Sequence, residues 1–308
     1  MEETTNFSSG KRCAVVTGAN KGIGLEICRQ LASNGIKVIS TARDEKRGVE
    51  AVGKLKASGL LDVVFHQLDV KDPDSIASLA KFVETNFGKL DILINNAAVN
   101  GVTIDIEALR AFKLGGGLVN DENAHLVNRV MQQSYEKAEA CIRTNYYGTK
   151  SMTEAFLPLL QLSNSARIVN VSSIYGQLQF IYNDMVKAEL ENLESLTEEK
   201  IDQLLLMFLK DFEEDKLQAN GWPLTVSAYK VSKAVINAYT RLVAKKFPNI
   251  LVNCVHPGLV KTDISSNYGN LSPEEGARAP VMLALLPDDG PSGLYFYEMH
   301  VFLTVINI

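Results

Sequence analysis

The segment SAYKVSK places a tyrosine, Tyr229, four positions before a lysine, Lys233. On a helix, residues at i and i+4 share a face, so the Lys233 ammonium can lie near the Tyr229 hydroxyl. A free phenol has a pKa of about 10, but a neighbouring positive charge favours the phenolate and lowers that pKa toward neutrality. We therefore predict that Tyr229 can act as a general acid, with Lys233 as the group that activates it.

A glycine-rich segment, TGANKGIG at residues 17–24, lies between a β-branched apolar run and an amphipathic stretch. Its glycines, Gly18, Gly22 and Gly24, follow the spacing G-x3-G-x-G rather than the more common G-x-G-x-x-G. Glycines let the backbone approach a pyrophosphate, and the helix N-terminus behind them favours negative charge. We predict that this loop binds a dinucleotide cofactor. The other loop residues expected at the cofactor are Asn20, Lys21 and Ile23.

The residues after the second predicted strand indicate which dinucleotide is bound. Asp44 lies at about the distance from the glycines at which an acidic residue holds the ribose hydroxyls of NAD. However, Arg43 directly follows the strand, and Lys21 lies inside the glycine loop. Together, with Arg47 assisting, they would face the 2′-phosphate of NADP, which an arginine fork binds well. We predict NADPH; the alternative is that these are ordinary exposed basic residues.

Strand-like and helix-like segments alternate along most of the chain. Strands are predicted for the apolar runs RCAVVTG, IKVIST, VVFHQLD, LDILINNAA, ARIVNVSS and NILVNCVHPG. This alternation predicts parallel strands joined by right-handed helical crossovers, a doubly wound α/β sheet. Two segments interrupt it, residues 99–135 and residues 177–226. The second leads directly to the Tyr229 helix.

Within the second segment, LTEEKIDQLLLMFLKDFEE predicts an amphipathic helix. Thr197 is a suitable N-cap, and Glu198 and Glu199 match the positive end of the helix dipole. The apolar stripe consists of Ile201, Leu204, Leu205, Phe208, Leu209 and Phe212. This helix either packs on the body of the protein or covers the active site as a lid, and the two interpretations are compatible.

The composition narrows the class of protein. The chain has 308 residues, 46% of them hydrophobic and 22% charged, which suits one large α/β domain. A net charge of −5 without a long basic run argues against a nucleic-acid partner. The four cysteines are scattered and the four histidines lack ligand spacing, so we expect neither disulfides nor a metal site. The first residues contain no apolar signal-peptide core, and we expect a cytoplasmic location.

Four motifs in order, TGANKGIG, NNAA, NVSS and YKVSK, resemble the short-chain dehydrogenase/reductase superfamily. The resemblance runs from about Lys11 to about Glu298. It implies one Rossmann-type domain, a doubly wound seven-stranded parallel sheet flanked by helices, and a nicotinamide cofactor. The family's usual NNAG reads NNAA here, with Ala98 in place of glycine. The further cofactor-binding positions that it implies are Asp69, Val70, Asn96, Ala97, Tyr229, Lys233, Pro257, Gly258 and Thr262.

The resemblance also implies a catalytic set. Ser173, the second serine of NVSS, would stabilise charge on the substrate oxygen; Ser172 is the competing choice, which strand alternation does not settle. Asn145 in RTNYYG would position a water for proton relay to Lys233, or is simply a structural helix residue. Lys233 would also hold the nicotinamide ribose.

Ser173 and Tyr229 are 56 residues apart (229 − 173), farther than in most family members. This long insertion before the catalytic tyrosine resembles the plant branch of salutaridine reductases and menthone or neomenthol reductases. Membership implies an NADPH-dependent carbonyl reductase, acting on a cyclic terpenoid or alkaloid ketone in plant secondary metabolism and typically monomeric. An NADP+-dependent alcohol dehydrogenase and a non-catalytic, cofactor-sensing relative are the alternatives. Both insertions are expected over the substrate site.

Overall fold

The computed structural model describes residues 10–112 and 120–302. Residues 113–119, in the first predicted insertion, and the strand-prone residues 303–308 lie outside the described part. Within the described residues the strands are β1 (Cys13–Val16), β2 (Lys37–Ala42), β3 (Val63–Gln67), β4 (Ile92–Asn95), β5 (Val102–Ile104), β6 (Met131–Gln133), β7 (Ala166–Val171), β8 (Ile250–His256), β9 (Tyr295–Tyr297) and β10 (His300–Val301).

The same residues form eleven α-helices. They are α1 (Gly22–Ser33), α2 (Glu45–Ala57), α3 (Pro73–Phe87), α4 (Ile106–Phe112), α5 (Ala124–Val130), α6 (Tyr135–Ile142), α7 (Gly148–Leu160), α8 (Asp184–Glu191), α9 (Glu198–Glu213), α10 (Ser227–Lys246) and α11 (Pro273–Ala284). A π-helical turn, Arg143–Tyr147, joins α6 to α7.

The main sheet has the order β3-β2-β1-β4-β7-β8-β9-β10. The first seven strands of this order are parallel, as β1 with β2 and β4, β7 with β8, and β8 with β9 show. The predicted seven-stranded parallel sheet is confirmed, and β10 extends it with an antiparallel edge pair to β9. The strand order reverses between β1 and β4, and open α/β sheets bind ligands at the carboxyl ends of strands at such a point.

Local sequence accounts for most of these elements. β1, β4 and β7 are buried along their whole length because helices cover both faces of the sheet. The helix α3 begins with Asp72 as N-cap and Pro73 in its first turn, and it ends at Gly88 with φ +72°. Each of these signals is readable from a few adjacent residues.

The two interruptions add elements of their own. Residues 99–135 contain the separate antiparallel pair β5–β6 together with α4 and α5. Residues 177–226 contain α8 and α9. The predicted α9 helix is confirmed: Thr197 accepts the Lys200 amide at 3.3 Å, and the apolar stripe faces the core while Leu206 on the other side is exposed.

The helix α9 is anchored at both ends. Near its start, Lys150 of α7 lies 3.0 Å from Asp202. Near its end, the buried indole of Trp222 donates to Asp211 at 2.7 Å and packs edge-on against Phe208. The chain that returns from α9 toward α10 is therefore fixed to the helix that it leaves. Across the described residues, no helix combines the length and apolar character that a membrane span requires.

Trp222→Phe should destabilise the protein by about 1.5–3 kcal/mol, because the buried Asp211 carboxylate loses a hydrogen-bond donor while ring packing is largely kept. Chemical denaturation followed by circular dichroism measures the change. The double variant Trp222→Phe/Asp211→Leu removes both partners and should recover most of the loss. An unchanged free energy of unfolding in Trp222→Phe would show that the hydrogen bond contributes nothing.

Candidate active site

The glycine turn after β1 packs directly on the NNAA segment after β4. Gly18 has φ +64°, and a Cβ there would lie 3.0 Å from the Ala97 Cα. A Cβ on Gly24 would lie 2.5 Å from the Asn96 Nδ2. Both glycines are therefore required by close backbone packing between two of the predicted motifs.

The Asn96 side chain stabilises this turn by hydrogen bonds. Its Nδ2 donates to the carbonyl oxygens of Thr17 and Gly18 at 2.9 and 3.1 Å. In return, the Thr17 Oγ1 accepts the amides of Asn96 and Ala97, each at 2.9 Å. Sequence reasoning missed the role of Thr17, although it opens the glycine motif. Ala98 has a negative φ, so the missing family glycine imposes no left-handed backbone there.

The start of α1 has the properties of an anion site. Lys21, its N-cap residue, makes no side-chain capping bond, and the first turn holds no acidic residue, so the helix N-terminus carries uncompensated positive potential. A Cβ on Gly22 would lie 3.3 Å from the Thr262 Cγ2. The Thr262 Oγ1 is buried, and no described residue gives it a hydrogen-bond partner. An uncapped helix start beside an orphan hydroxyl fits the phosphates of a dinucleotide.

Three basic side chains surround the outer side of this turn. Lys21 forms an ion pair with Asp263. Arg43 is exposed, and among the described residues its guanidinium has no ion-pair partner. Asp44 caps α2 by accepting the Arg47 amide at 2.9 Å, so its carboxylate is already committed to the helix. Arg47 and Lys21 line an open cleft together with Asn20, Leu25, Glu50, Ala51, Lys54 and Asp263.

The predicted adenine-side residues follow β3. The Asp69 Oδ1 accepts the Lys71 amide at 3.0 Å, so the carboxylate stabilises its own turn. Val70 is buried against Gly148, where a Cβ would lie 2.8 Å from its Cγ2. Both residues are held in place by local contacts, and their adenine contacts stay a prediction.

The segment after β8 brings the last motif to the same edge of the sheet. Pro257 is followed by Gly258, whose φ is +88° and whose Cβ would lie 2.3 Å from the Leu271 Cδ1. Only glycine fits this position. The bend directs the chain toward Thr262 and the start of α1.

The catalytic candidates meet at the carboxyl end of β7. Tyr229, half-buried on α10, lies near Ser173, whose side chain favours the phenolate and so works against the rise in the Tyr229 pKa. The Ser172 hydroxyl instead lies 2.5 Å from the Asn237 Oδ1. The structure therefore brings Ser173, and not Ser172, to the tyrosine.

Lys233 lies in the same buried corner. Its ammonium donates to the Val171 carbonyl oxygen at 2.7 Å and lies 5.6 Å from the centroid of the Tyr229 ring. Burial lowers the pKa of Lys233 to about 8. An ammonium has three hydrogens. One of them forms this hydrogen bond with Val171, the last residue of β7.

The expected lowering of the Tyr229 pKa is wrong for this geometry. Burial raises the pKa of Tyr229 to about 12, and the side chain of Ser173 opposes this rise only in part. The reason is desolvation: removing water from a phenolate costs more than its surroundings return. At neutral pH the side chain is therefore a protonated phenol.

Asn145 lies in the π-helical turn and is fully buried. Its side chain forms two hydrogen bonds with the backbone of Val99. The Oδ1 accepts a hydrogen bond from the amide at 2.9 Å, and the Nδ2 donates to the carbonyl oxygen at 3.0 Å. The Nδ2 also contacts Ser232 at 3.0 Å and the Sγ of Cys141 at 3.2 Å. These contacts support the structural interpretation of the side chain; the water relay stays a prediction. Burial raises the pKa of Cys141 to about 12.

Two aromatic residues complete the site and were not predicted. The Tyr175 amide donates to the Ser173 Oγ at 3.2 Å, and its ring lies edge-on to Tyr229 with centroids 6.4 Å apart. The Tyr295 hydroxyl donates to the Ser173 carbonyl oxygen at 3.2 Å. No spacing rule points to these residues, because tertiary folding brings them together. Within the described residues, no group of three or more His, Cys, Asp or Glu could hold a metal ion.

Comparison with known proteins agrees with the resemblance. Residues 12–185 match the short chain dehydrogenase family. Salutaridine reductase of Papaver bracteatum is 52% identical over 97% of this chain and 98% of its own length. (+)-Neomenthol dehydrogenase of Arabidopsis thaliana is 54% identical over 94% of this chain and 97% of its own. The solved structure of salutaridine reductase from Papaver somniferum superposes with a TM-score of 0.86, at 51% identity, covering 94% of this chain and all of that one.

The buried ammonium predicts a pH dependence of stability. Because folding lowers the Lys233 pKa from 10.5 to about 8, the unfolded chain binds more protons between these values, and stability rises with pH there. Relative to Lys233→Met, the free energy of unfolding of the cofactor-free protein should increase by about 2 kcal/mol from pH 8 to pH 10.

Denaturant titrations of both proteins at each pH measure this difference. The buried thiols act in the opposite direction, since burial raises their pKa values, but burial is common to both proteins; Lys233 is only a minor cause of the pKa of Cys141 and Cys254, so most of the thiol contribution cancels. A difference that stays constant across this range would mean that Lys233 is solvated or keeps its ordinary pKa.

Proposed function

We propose that this chain, which belongs to the short chain dehydrogenase family, is an NADPH-dependent carbonyl reductase that acts on a ketone. One observation carries the proposal. A phenol, a serine hydroxyl and a buried ammonium converge at the end of β7, beside a glycine turn that fits a dinucleotide. This set can bind a carbonyl oxygen and deliver a proton to it.

The bound cofactor would supply hydride to the carbonyl carbon. Gly18, Gly22 and Gly24 let the backbone lie close to the cofactor, and Thr262 offers its free hydroxyl. Ser173 donates a hydrogen bond to the ketone oxygen as charge develops on it, and Tyr229 transfers its proton to that oxygen. The Lys233 cation, near the ring, stabilises the phenolate that remains.

The raised pKa of Tyr229 is compatible with this role. A phenol with a pKa of about 12 is protonated at neutral pH, so Tyr229 is present in the form that can donate a proton. The alkoxide formed by reduction is a base of roughly the strength of hydroxide, whose conjugate acid, water, has a pKa of about 15.7. Proton transfer from Tyr229 to that alkoxide is therefore downhill. Activation by Lys233 is needed to stabilise the product phenolate rather than to pre-ionise the phenol.

A cyclic terpenoid or alkaloid ketone is the proposed substrate. The names of the relatives, salutaridine reductase and neomenthol dehydrogenase, support this class. The ring of Tyr175 lies edge-on to Tyr229, and Phe180 packs on Tyr175 with centroids 5.4 Å apart; this aromatic pair suits a bulky apolar ring. The name of the second relative, a dehydrogenase, also supports the alternative of alcohol oxidation. Rates of ketone reduction and of alcohol oxidation, both measured at neutral pH, would distinguish the two.

The chain is further proposed to be a cytoplasmic monomer with a role in plant secondary metabolism. In support of the monomer, α9 of the second insertion covers part of α7 and α10. Lys150 on α7 pairs with Asp202 and Glu198, and Lys246 on α10 lies 3.5 Å from Glu198. Part of the outer surface of these helices is thus occupied by the chain itself.

Tyr229→Phe should lower kcat for a cyclic ketone at least about 1,000-fold while the Kd for NADPH stays within about twofold, because only the proton donor is lost. NADPH oxidation measured over a panel with salutaridine, menthone and simple quinones tests the rate, and NADPH fluorescence tests binding. A non-catalytic, cofactor-sensing protein would bind NADPH and turn over none of the panel.

The two adjacent serines supply a matched control. Ser173→Ala should lose about 100-fold or more in kcat, because one donor to the oxyanion disappears. Ser172→Ala, which removes only the contact with Asn237, should keep kcat within a few-fold of the original protein. Equal losses in both variants, or loss of NADPH binding in Tyr229→Phe, would contradict the assigned roles.

NADPH preference should depend on Arg43. Arg43→Ala is expected to raise the KM for NADPH about 10- to 100-fold, because the 2′-phosphate loses one charge-assisted hydrogen bond. The KM for NADH, which has no 2′-phosphate, should stay unchanged. Steady-state kinetics with each cofactor measure the effect. Arg278→Ala on α11, another exposed arginine, is the control and should change neither KM. Comparable kcat/KM for NADH and NADPH in the original protein would count against the preference.

A further inference from the structure

A second lysine, Lys230, is buried next to the catalytic tyrosine. Its side chain is completely inaccessible to solvent. The ammonium lies 2.8 Å from the Asp121 Oδ1 and donates to the Thr225 Oγ1 at 2.8 Å. A buried ion pair carries a desolvation cost that an apolar pair of the same shape avoids. Stability alone therefore does not explain the Asp121–Lys230 pair; the neighbouring side chains indicate what it positions.

Asp121 connects the first insertion to the chain that enters α10. Besides Lys230, its carboxylate accepts the amides of Leu224 and Thr225 at 2.9 and 3.0 Å and the Thr225 hydroxyl at 2.5 Å. Burial opposes ionisation of Asp121, but the bonds from Lys230, Thr225 and the Leu224 amide outweigh it and lower the pKa of the carboxyl. The aspartate is therefore a charged junction between two segments about 100 residues apart in sequence.

The Lys230 ammonium also fixes two aromatic rings. It lies 5.7 Å from the centroid of Tyr175 and 5.6 Å from that of Phe180. A cation at this distance attracts the ring faces. Tyr175 in turn touches Tyr229 edge-on, and its amide binds the Ser173 hydroxyl. A continuous set of contacts therefore runs from Asp121 through Lys230 and Tyr175 to both catalytic side chains.

We propose that the Asp121–Lys230 pair is a positioning element that sets the ketone-binding wall of Tyr175 and Phe180 against Tyr229, and so determines affinity for the ketone rather than for the cofactor. The inference rests on the proposed reductase function. It assigns the pair no contact with the reacting atoms. Among the residues that the structure describes, neither the glycine turn nor the basic side chains near it contact the pair, so cofactor binding should be unaffected.

Lys230→Met and the double variant Asp121→Asn/Lys230→Met test the proposal. Lys230→Met leaves Asp121 without its cation and is expected to be the less stable of the two; the double variant contains no buried charge and should fold. In both, the KM for a cyclic ketone should rise about tenfold or more, while the Kd for NADPH changes less than about twofold. A purely structural role would reduce the amount of active enzyme and leave KM unchanged.

Lys150→Met is the matched control. It also removes a mostly buried lysine from an ion pair with an insertion, but its ion-pair partners are Asp202 and Glu198 on α9, and within the described part of the chain it contacts neither Tyr175 nor Phe180. It should lower stability without changing the ketone KM. A ketone KM within twofold of the original protein in the double variant would overturn the proposal, as would an equal rise in Lys150→Met.

Hydrogen–deuterium exchange gives a readout that needs no turnover. Residues 174–182 and 120–133 should exchange faster in the double variant, and α9 should not; unchanged exchange in both segments would overturn the proposal. If the original protein reduces no ketone in the panel, the reductase function fails, and the exchange comparison alone decides whether the pair positions this wall.

Discussion

Burial of α10 against the carboxyl end of β7 is the constraint on which the rest of the structure depends. Thirteen of the twenty residues of this helix are buried, including Lys233 and Lys230. Removing water shifts the phenol and the ammonium toward their neutral forms, in opposite directions on the pH scale. The site therefore holds a proton firmly on Tyr229 until an acceptor stronger than water arrives. In the proposed reaction, cofactor and ketone enter a pocket whose acid is already in place.

The two insertions are joined to this core by charge as well as by apolar packing. Asp121 of the first insertion pairs with Lys230 on α10, and α9 of the second pairs with Lys150 on α7. Loops that only packed through apolar contacts could slide, because such contacts are non-directional. Hydrogen-bonded ion pairs fix direction and register at some cost in stability. The insertions consequently behave as parts of the same folded unit as the sheet.

Sequence was sufficient wherever the cause is local. The ends of α3 follow from Asp72, Pro73 and Gly88, and the stripe of α9 follows from its spacing. The order of the motifs fixed the sheet and brought the glycine turn, NNAA and Tyr229 to one edge. The pairing of β5 with β6 and the choice between Ser172 and Ser173 depend on partners far along the chain, such as Asn237 for Ser172. The direction of the Tyr229 pKa shift was missed for the same reason, since desolvation is a property of the packed whole and not of i, i+4 spacing.

The four buried cysteines have a chemical consequence for such an enzyme. Cys141 touches Asn145 and lies 4.0 Å from Ser232, close to the pocket, yet its pKa of about 12 leaves only about one thiol in 100,000 ionised at neutral pH. Conjugated cyclic ketones are electrophiles that alkylate thiolates, not thiols. Under the proposed function, a sulfur kept protonated beside the pocket would resist alkylation by conjugated ketones.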